Sequence, residues 1–373
     1  MTRYNASTME GASFPRVSTR RQTTPLPEQP EFGQHFTDHM VLMDWTAESG
    51  WHSPRITAYA PLPLDPAAAA LHYALEVFEG LKAYRHPDGT SHLFRPWANA
   101  QRFQESAERL VLPSLPAEWF VAAAEALVDA DARWIPTQEE ASLYLRPFLI
   151  ATDAFLGLRV PRSALFAVIA SPTLPYFSER GPLRMWLSSE HSRAGKGGTG
   201  AAKCGGNYAS SLLAASIAAE HSCDQVVFTD ASTGRLIEEA GNMNLFLATR
   251  DGALITPPVE PASRGGTILA GITRNSVIQL ARIEGLRVEE RPVEVDEWAE
   301  GVHSGYITEA FATGTAAVIA PLGELLGENG LIAPATSSGL GPVGGSLRRR
   351  LTDIQFGLAP DEFGWMHRVR STR

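Results

Sequence analysis

Cysteine is scarce in this chain, because only Cys204 and Cys223 occur among 373 residues. Two cysteines cannot supply a disulfide framework or, by themselves, a zinc site, so we expect a reducing, cytoplasmic environment. No hydrophobic run approaches the roughly 20 residues that a membrane-spanning helix needs. The first 30 residues also lack the apolar core of a signal peptide, and we expect them to form a polar N-terminal arm.

A surplus of basic residues is missing as well. The chain has 32 Lys and Arg against 41 Asp and Glu, which gives a formal net charge of -9. Nucleic acids and anionic membranes attract basic surfaces, so this balance argues against both as partners. A small anionic ligand is not excluded, because a pocket can be locally positive.

The length predicts two domains, because 373 residues exceed what one ordinary core holds. Strand-like and helical stretches follow each other without regular alternation, which favours an α/β protein of the α+β type over a doubly wound sheet. We expect an arm at 1–30, an α/β domain at 31–175, a linker at 176–184 and a second domain at 185–373. The linker is indicated by the cluster Pro172, Pro175, Gly181 and Pro182.

Hydrophobic periodicity predicts the elements that carry these domains. Helices are expected at 97–110, 116–134, 207–219, 272–283 and 347–356. Strands are expected at 40–43, 56–59, 141–150, 164–170, 184–187, 226–228, 244–248, 253–256, 286–295 and 310–319.

Lys203 lies in a run of small residues at 200–208, which includes Gly205 and Gly206. Small neighbours leave room for a bulky group to approach, and the glycines allow a sharp turn. A primary amine can form a Schiff base with an aldehyde, which is how lysine anchors pyridoxal phosphate. Taken alone, the run is also typical of a flexible surface loop.

A pair of carboxylates, Glu238 and Glu239, precedes a tight turn at Ala240 and Gly241. Pyridoxal phosphate chemistry needs a carboxylate against the pyridine nitrogen, because the protonated ring then withdraws electrons from the substrate. Adjacent residues of a strand face opposite sides, so only one of the two can serve. The residues alone do not decide which one, and a solvated strand end is the ordinary alternative.

Two further segments could bind an anion. Ile272 and Thr273 follow Gly271 at the start of a predicted helix, where backbone N–H groups and a hydroxyl can cradle a phosphate. Thr313 and Thr315 flank Gly314 in an apolar strand and offer hydroxyls and amides. An ordinary helix N-cap and a loosely packed strand end remain alternatives.

Several segments, taken in order, resemble the branched-chain aminotransferases, which are pyridoxal phosphate enzymes of fold type IV. The resemblance extends over most of the chain, from about residue 32 to residue 356. It rests on the segments 36–40, 78–84, 93–97, 144–147, 203–208 and 239–246. The family implies two domains, a smaller N-terminal α/β domain and a larger pseudo-barrel C-terminal domain.

The resemblance implies a reaction and a cofactor. The cofactor would be pyridoxal 5'-phosphate, bound covalently to Lys203, whose freed amine would then move a proton between the substrate Cα and cofactor C4′. The reaction would be reversible transfer of the amino group of leucine, isoleucine or valine to 2-oxoglutarate, which yields branched 2-oxo acids and L-glutamate. Tyr208 would hydrogen-bond to the cofactor O3′, and Glu239 rather than Glu238 would pair with the pyridine nitrogen.

The same resemblance implies the remaining binding residues. The cofactor phosphate would be held by Arg102, Ile272, Thr273 and Thr315. Asn242 stands near the cofactor at a position where close relatives carry threonine. The substrate α-carboxylate would lie near Thr315 and Ala316.

An apolar substrate pocket is also implied, lined by Phe32, Phe78, Tyr144 and Tyr176. Arg146 could bind the second carboxylate of glutamate or could form a structural ion pair. Tyr73, Leu156 and Leu158 would reach the pocket from a partner subunit, so the family implies a homodimer with a composite active site.

Competing interpretations are a D-amino acid transaminase or an aminodeoxychorismate lyase, which share the lysine and the glutamate. A nucleotide-binding loop at 195–200 fails, because Gly197 stands where a P-loop needs Ser or Thr after the lysine. A non-catalytic relative would need a broken set of site residues, and this set is intact.

Overall fold

The computed structural model describes residues 13–16, 25–175 and 181–370. The described residues form two compact units. The first unit contains those up to Pro175, Ala202–Gly205 and those from Ile354 onward. The second contains those from 181 to Ala201 and Gly206–Asp353. Each unit has its own sheet and its own hydrophobic core.

An eight-stranded sheet forms the first unit. Its strands are β1 (His39–Thr46), β2 (Gly50–Ala58), β3 (Glu76–Phe78), β4 (Leu81–Arg85), β5 (Ser91–Phe94), β6 (Ser142–Ala151), β7 (Ser163–Thr173) and β17 (Met366–Arg368). The spatial order is β17-β5-β4-β6-β7-β1-β2, and β3 pairs with β6. All these pairings are antiparallel, as expected for an α+β unit.

Helices cover one face of this sheet. They are α1 (Ala69–Tyr73), α2 (Pro96–Arg109) and α3 (Ala117–Ala130). Helix α2 begins with Pro96, whose missing N–H is not needed at the first helical position. Its buried residues Ala100, Phe103 and Ala107 belong to the core of the first unit. The predicted helix at 97–110 is therefore confirmed, and α3 accounts for most of 116–134.

A nine-stranded sheet forms the second unit. Its strands are β8 (Leu183–Ser188), β9 (Gln225–Thr229), β10 (Ile237–Ala240), β11 (Met243–Thr249), β12 (Ala253–Thr256), β13 (Arg287–Glu290), β14 (Ile307–Gly314), β15 (Val318–Gly327) and β16 (Gly330–Ala333). Strand β11 pairs with β14 and also with β10, so the path β10-β9-β8-β15-β14-β11 closes on itself. The expected pseudo-barrel is confirmed.

The remaining helices are α4 (Gly205–Ala209), α5 (Leu212–Glu220), α6 (Ile272–Ile283), α7 (Val295–His303) and α8 (Pro342–Gln355). The predicted helix at 272–283 has the predicted bounds. The prediction of one helix at 207–219 is wrong, because two helices meet at Ser210 and Ser211. Their hydroxyls donate to the carbonyls of Asn207 and Tyr208, and such bonds compete with helix continuation. Over the described ranges, each helix is too short or too polar to span a bilayer.

Two predicted strands differ from the structure. The segment 310–319 contains the end of β14, a turn at 315–317 and the start of β15, so it folds back on itself. The segment 286–295 contains only the short strand β13 and then enters α7 at Val295. Pro292 lies between the two, and its missing N–H prevents a continued ladder.

Both ends of the described chain join the first unit. Strand β17 pairs with β5, although the sequence assigns 185–373 to the second domain. The two units are consequently of similar size. In the expected N-terminal arm, Phe14 is buried in the first core, and Ile56 N–H donates to the carbonyl of Pro15.

Candidate cofactor site

Lys203 lies in the first unit and is held by its backbone. Its N–H donates to Ser106 Oγ on α2 at 2.9 Å, and its carbonyl accepts from the N–H of Phe78 on β3 at 3.0 Å. Its Nζ atom lies 4.8 Å from the centre of the Phe78 ring. A helix and a strand therefore fix the position of a residue that the sequence also allowed in a mobile loop.

The surroundings of Lys203 change the chemistry of its amine. Burial and then the Arg102 guanidinium lower the pKa of Lys203, to about 8, although Glu79 acts in the opposite direction. The ordinary value is 10.5. Near neutral pH, a larger fraction of this amine is therefore unprotonated than of an exposed lysine.

Arg102 and Glu79 form a buried bidentate ion pair. Arg102 Nε donates to Glu79 Oε1 at 2.7 Å, and Arg102 Nη2 donates to Oε2 at 2.8 Å. Asn99 Nδ2 and the N–H of Gly80 also donate to Oε2, at 2.7 and 3.1 Å. Burial alone would raise the pKa of Glu79, but Arg102, Lys203 and Asn99 together lower it. The carboxylate is thus ionised, and it orients the guanidinium.

Aromatic side chains lie close to this pair. Tyr144 on β6 is buried, and its ring packs edge-on against Phe32 at 4.9 Å between centres. Arg146 lies over the Phe78 ring at 4.7 Å and donates to the Tyr144 hydroxyl at 3.1 Å. Buried Arg146 Nε has no hydrogen-bond partner among the described residues. We call Phe78, Glu79, Arg102, Tyr144, Arg146 and Lys203 the lysine cluster.

Glu239 lies in the second unit, on β10, and is almost fully buried. Its Oε1 accepts from the N–H of Leu269 at 2.7 Å. Its Oε2 lies 3.0 Å from Arg193 Nε, a contact that is an ion pair rather than a well-aligned hydrogen bond. A buried carboxylate between a cation and an amide is suited to holding a further positive group.

Glu238 makes different contacts from its neighbour, as alternation along a strand requires. The Thr267 hydroxyl donates to Glu238 Oε1, and the residue lines a cavity of about 380 Å³. Burial raises the pKa of Glu238, although the Thr267 hydrogen bond and Arg193 act in the opposite direction.

Ile272 and Thr273 form the start of α6 and are both buried. Gly271, the N-cap residue, supplies no side-chain cap, and the first N–H groups of a helix have no partner within it. Thr315 and Ala316 are half-buried in the turn between β14 and β15. These segments have the donors that a phosphate or carboxylate needs.

The other predicted site residues have varied environments. Tyr208 is half-buried in α4, and Asn242 is exposed in the turn between β10 and β11. The Tyr73 hydroxyl donates to the carbonyl of Leu156, and both Leu156 and Leu158 are exposed. Tyr176 lies outside the described residues.

Sequence reasoning missed three residues that organise these clusters. Glu79 belongs to the segment 78–84 noted above. Its only signal in the sequence was that an acidic residue interrupts an apolar run between Phe78 and Gly80. Arg193 has no local pattern, because its partner is 46 positions away. Asn244, a polar residue inside a predicted strand, could have been noticed as unusual.

Comparison with known proteins identifies the family to which this chain belongs. The sequence matches the family described as amino-transferase class IV over residues 76–325. A branched-chain-amino-acid aminotransferase of Mycolicibacterium smegmatis is 48% identical over 345 residues, which cover 91% of this chain and 92% of that protein.

Solved structures agree in fold. The Escherichia coli branched-chain amino acid aminotransferase superposes with a TM-score of 0.73 at 26% identity, covering 90% of this chain and 100% of that one. The T.th. enzyme of the same name, complexed with N-(5'-phosphopyridoxyl)-L-glutamate, gives a TM-score of 0.69 at 26% identity, covering 88% and 98%.

Proposed function

Because this chain belongs to the class IV amino-transferase family, we propose that it is a branched-chain L-amino acid aminotransferase. It moves the amino group of leucine, isoleucine or valine to 2-oxoglutarate and works in both directions. The observation that carries the proposal is the amine of Lys203, whose backbone is fixed by Ser106 and Phe78 and whose Nζ lies 4.8 Å from the centre of the Phe78 ring. Its lowered pKa, about 8, suits a group that must both bond to an aldehyde and transfer protons.

The donor groups fit pyridoxal 5'-phosphate as the cofactor. An amine at Lys203, an oriented guanidinium at Arg102 and a buried carboxylate at Glu239 match its aldehyde, its phosphate and its pyridine nitrogen. The start of α6 at Ile272 and Thr273 offers further phosphate donors. When bound, the cofactor supplies an electron sink for the carbanion at the substrate Cα.

Each residue then has a physical task. Lys203 accepts and returns the Cα proton, because a base with a pKa near the working pH does both. Glu239 retains a proton on the ring nitrogen through its negative charge, and Arg193 and Leu269 hold that carboxylate in place. Tyr208 and Asn242 are proposed to contact the cofactor, and Thr315 to contact its phosphate.

The substrate residues follow from the same proposal. Phe32, Phe78 and Tyr144 form apolar walls for a branched side chain, and Tyr176 is proposed as a fourth. Arg146 offers a buried Nε to the second carboxylate of glutamate, which shares the pocket. The amides of Thr315 and Ala316 are proposed to bind the α-carboxylate.

We also propose a homodimer, in which Tyr73, Leu156 and Leu158 complete the partner's pocket. Leu156 and Leu158 are 65% and 73% exposed, which is unusual for leucines close in sequence. A cytoplasmic location is proposed from the composition, and it is compatible with the two buried cysteines, Cys204 and Cys223, neither of which forms a disulfide.

A substrate panel with purified protein tests the function. With 2-oxoglutarate as acceptor, L-leucine, L-isoleucine and L-valine should be converted, and D-alanine should not. Lys203→Ala should abolish turnover, whereas the nearby exposed Lys196→Ala should not. Activity confined to D-alanine would overturn the assignment in favour of a D-amino acid transaminase.

A further inference from the structure

A row of polar residues crosses the barrel sheet of the second unit. Glu239 on β10 is directly opposite Asn244 on β11, and Asn244 is directly opposite Thr313 on β14. Residues in register share one face of a sheet, so the three side chains lie on the same side. All three are buried, and Asn244 is the middle member.

Asn244 and Glu239 bind the same residue from two sides. Asn244 Nδ2 donates to the carbonyl of Leu269 at 3.0 Å, and the N–H of Leu269 donates to Glu239 Oε1 at 2.7 Å. Both backbone groups of Leu269 are therefore held by side chains of adjacent strands. The position of the Glu239 carboxylate depends on Leu269, and the position of Leu269 depends on Asn244.

The other end of the Asn244 side chain contacts Gly271. A Cβ atom built on Gly271 would collide with Asn244 Oδ1, so only glycine permits this approach. Gly271 is the N-cap of α6, and Ile272 and Thr273 follow it. A single buried amide thus touches both ends of the segment 269–271.

We propose that Asn244 is a positioning residue that sets the distance between the Glu239 carboxylate and the first turn of α6. The proposal rests on the function proposed above, in which these two groups hold opposite parts of one cofactor. Asn244 does not have to touch the cofactor, because it acts through Leu269 and Gly271. A rigid ligand requires its anchors to be held within about half an ångström. Displacement of the segment 269–271 should therefore weaken binding both at the Glu239 carboxylate and at the first turn of α6.

Cofactor affinity and cofactor absorbance test the proposal. In Asn244→Ala and Asn244→Asp, the dissociation constant of pyridoxal phosphate, titrated into cofactor-free protein, should rise at least about tenfold, as expected for a lost buried hydrogen bond. The pH midpoint of the bound cofactor's absorbance should move upward, because a less firmly held ring proton withdraws less charge. Gln279→Ala, one turn beyond Asn275 on the solvent side of α6, is the matched control and should change neither quantity.

A double-mutant cycle separates positioning from a general loss of stability. Gly271→Ala should weaken cofactor binding in the natural chain, because its Cβ displaces Asn244. In the Asn244→Ala background, Gly271→Ala should lower cofactor affinity only slightly, since the nearest other side-chain atom to the new Cβ is Arg274 Cβ at 3.2 Å. Strong non-additivity is the expected result.

Unchanged affinity and absorbance in folded Asn244 variants would overturn the inference, and so would additive effects in the cycle. If the natural chain itself fails to bind pyridoxal phosphate or to transaminate, the proposed function fails instead. The two failures are therefore distinguishable in one set of measurements.

Discussion

At Lys203, three kinds of interaction act on one amine. Burial and the Arg102 guanidinium disfavour the ammonium form, whereas Glu79 favours it. Glu79 is itself bound by Arg102 through two hydrogen bonds, so much of its charge is already compensated. The amine consequently has a pKa well below that of an ordinary lysine without losing its ability to accept a proton.

The reactivity of Lys203 in the cofactor-free protein should therefore rise with pH through a midpoint near 8 rather than 10.5. The pKa is lowered, so the amine is protonated and unreactive below the midpoint and neutral above it. The measurement is the labelling rate of Lys203 by an amine reagent, read by mass spectrometry across pH. Arg102→Gln should raise the midpoint, because it removes a cation and leaves Glu79 unpaired. A midpoint near 10.5 in the natural chain would contradict the argument.

Among the elements, β11 joins three strands of the second unit. One edge pairs with β14, and the other pairs with β10 at Asn244 and with β12 at Leu247 and Ala248. Closing the barrel and presenting Asn244 beside Glu239 are therefore consequences of the same pairing. A one-residue slip of β11 would turn Asn244 to the other face and separate it from Leu269.

Helix α8 begins against a carboxylate from another element. Glu309 on β14 accepts from the N–H groups of Val343 and Gly344, both at 2.8 Å. We expect Glu309→Gln to lower the free energy of unfolding by about 1–2 kcal/mol, because a buried charged cap is lost.

The matched control for the α8 cap is Glu324→Gln. Glu324 forms an exposed ion pair with Arg184, so its loss should cost less than about 0.5 kcal/mol. Denaturant unfolding of both variants provides the comparison. Equal effects would show that Glu309 does not cap α8.

At the scale of the whole molecule, the proposed dimer predicts that charge introduced at Leu156 and Leu158 disrupts both assembly and turnover. Leu156→Asp with Leu158→Asp should produce monomers and reduce turnover at least about tenfold, because charge at the centre of an apolar contact is costly. Analytical ultracentrifugation and the leucine assay measure the two effects. Leu358→Asp changes a leucine that is 68% exposed in the same unit and should leave both unaltered. A fully active monomer would refute the composite site.

Sequence periodicity determined much of the secondary structure. The bounds of α6 and most of α2, β6 and β7 follow from hydrophobic spacing and from Pro96, which are local properties of the chain. Prediction failed at 207–219 and 310–319, where serine hydroxyls break a helix and a turn reverses a strand. Small and apolar residues continue through both places, so the residue pattern alone could not find the breaks.

The sequence by itself also indicated the chemistry of the candidate site. An amine among small residues, adjacent carboxylates and a Gly-Ile-Thr helix start were recognisable, because their chemistry depends on residue type and short spacing. Only the tertiary structure decided how these groups are held. Glu79 meets Arg102, Arg193 meets Glu239 and Asn244 meets Leu269 over long separations, and each contact brings a loop or helix residue against a residue of another element. Those contacts depend on how the elements of one unit pack together, which no local pattern records.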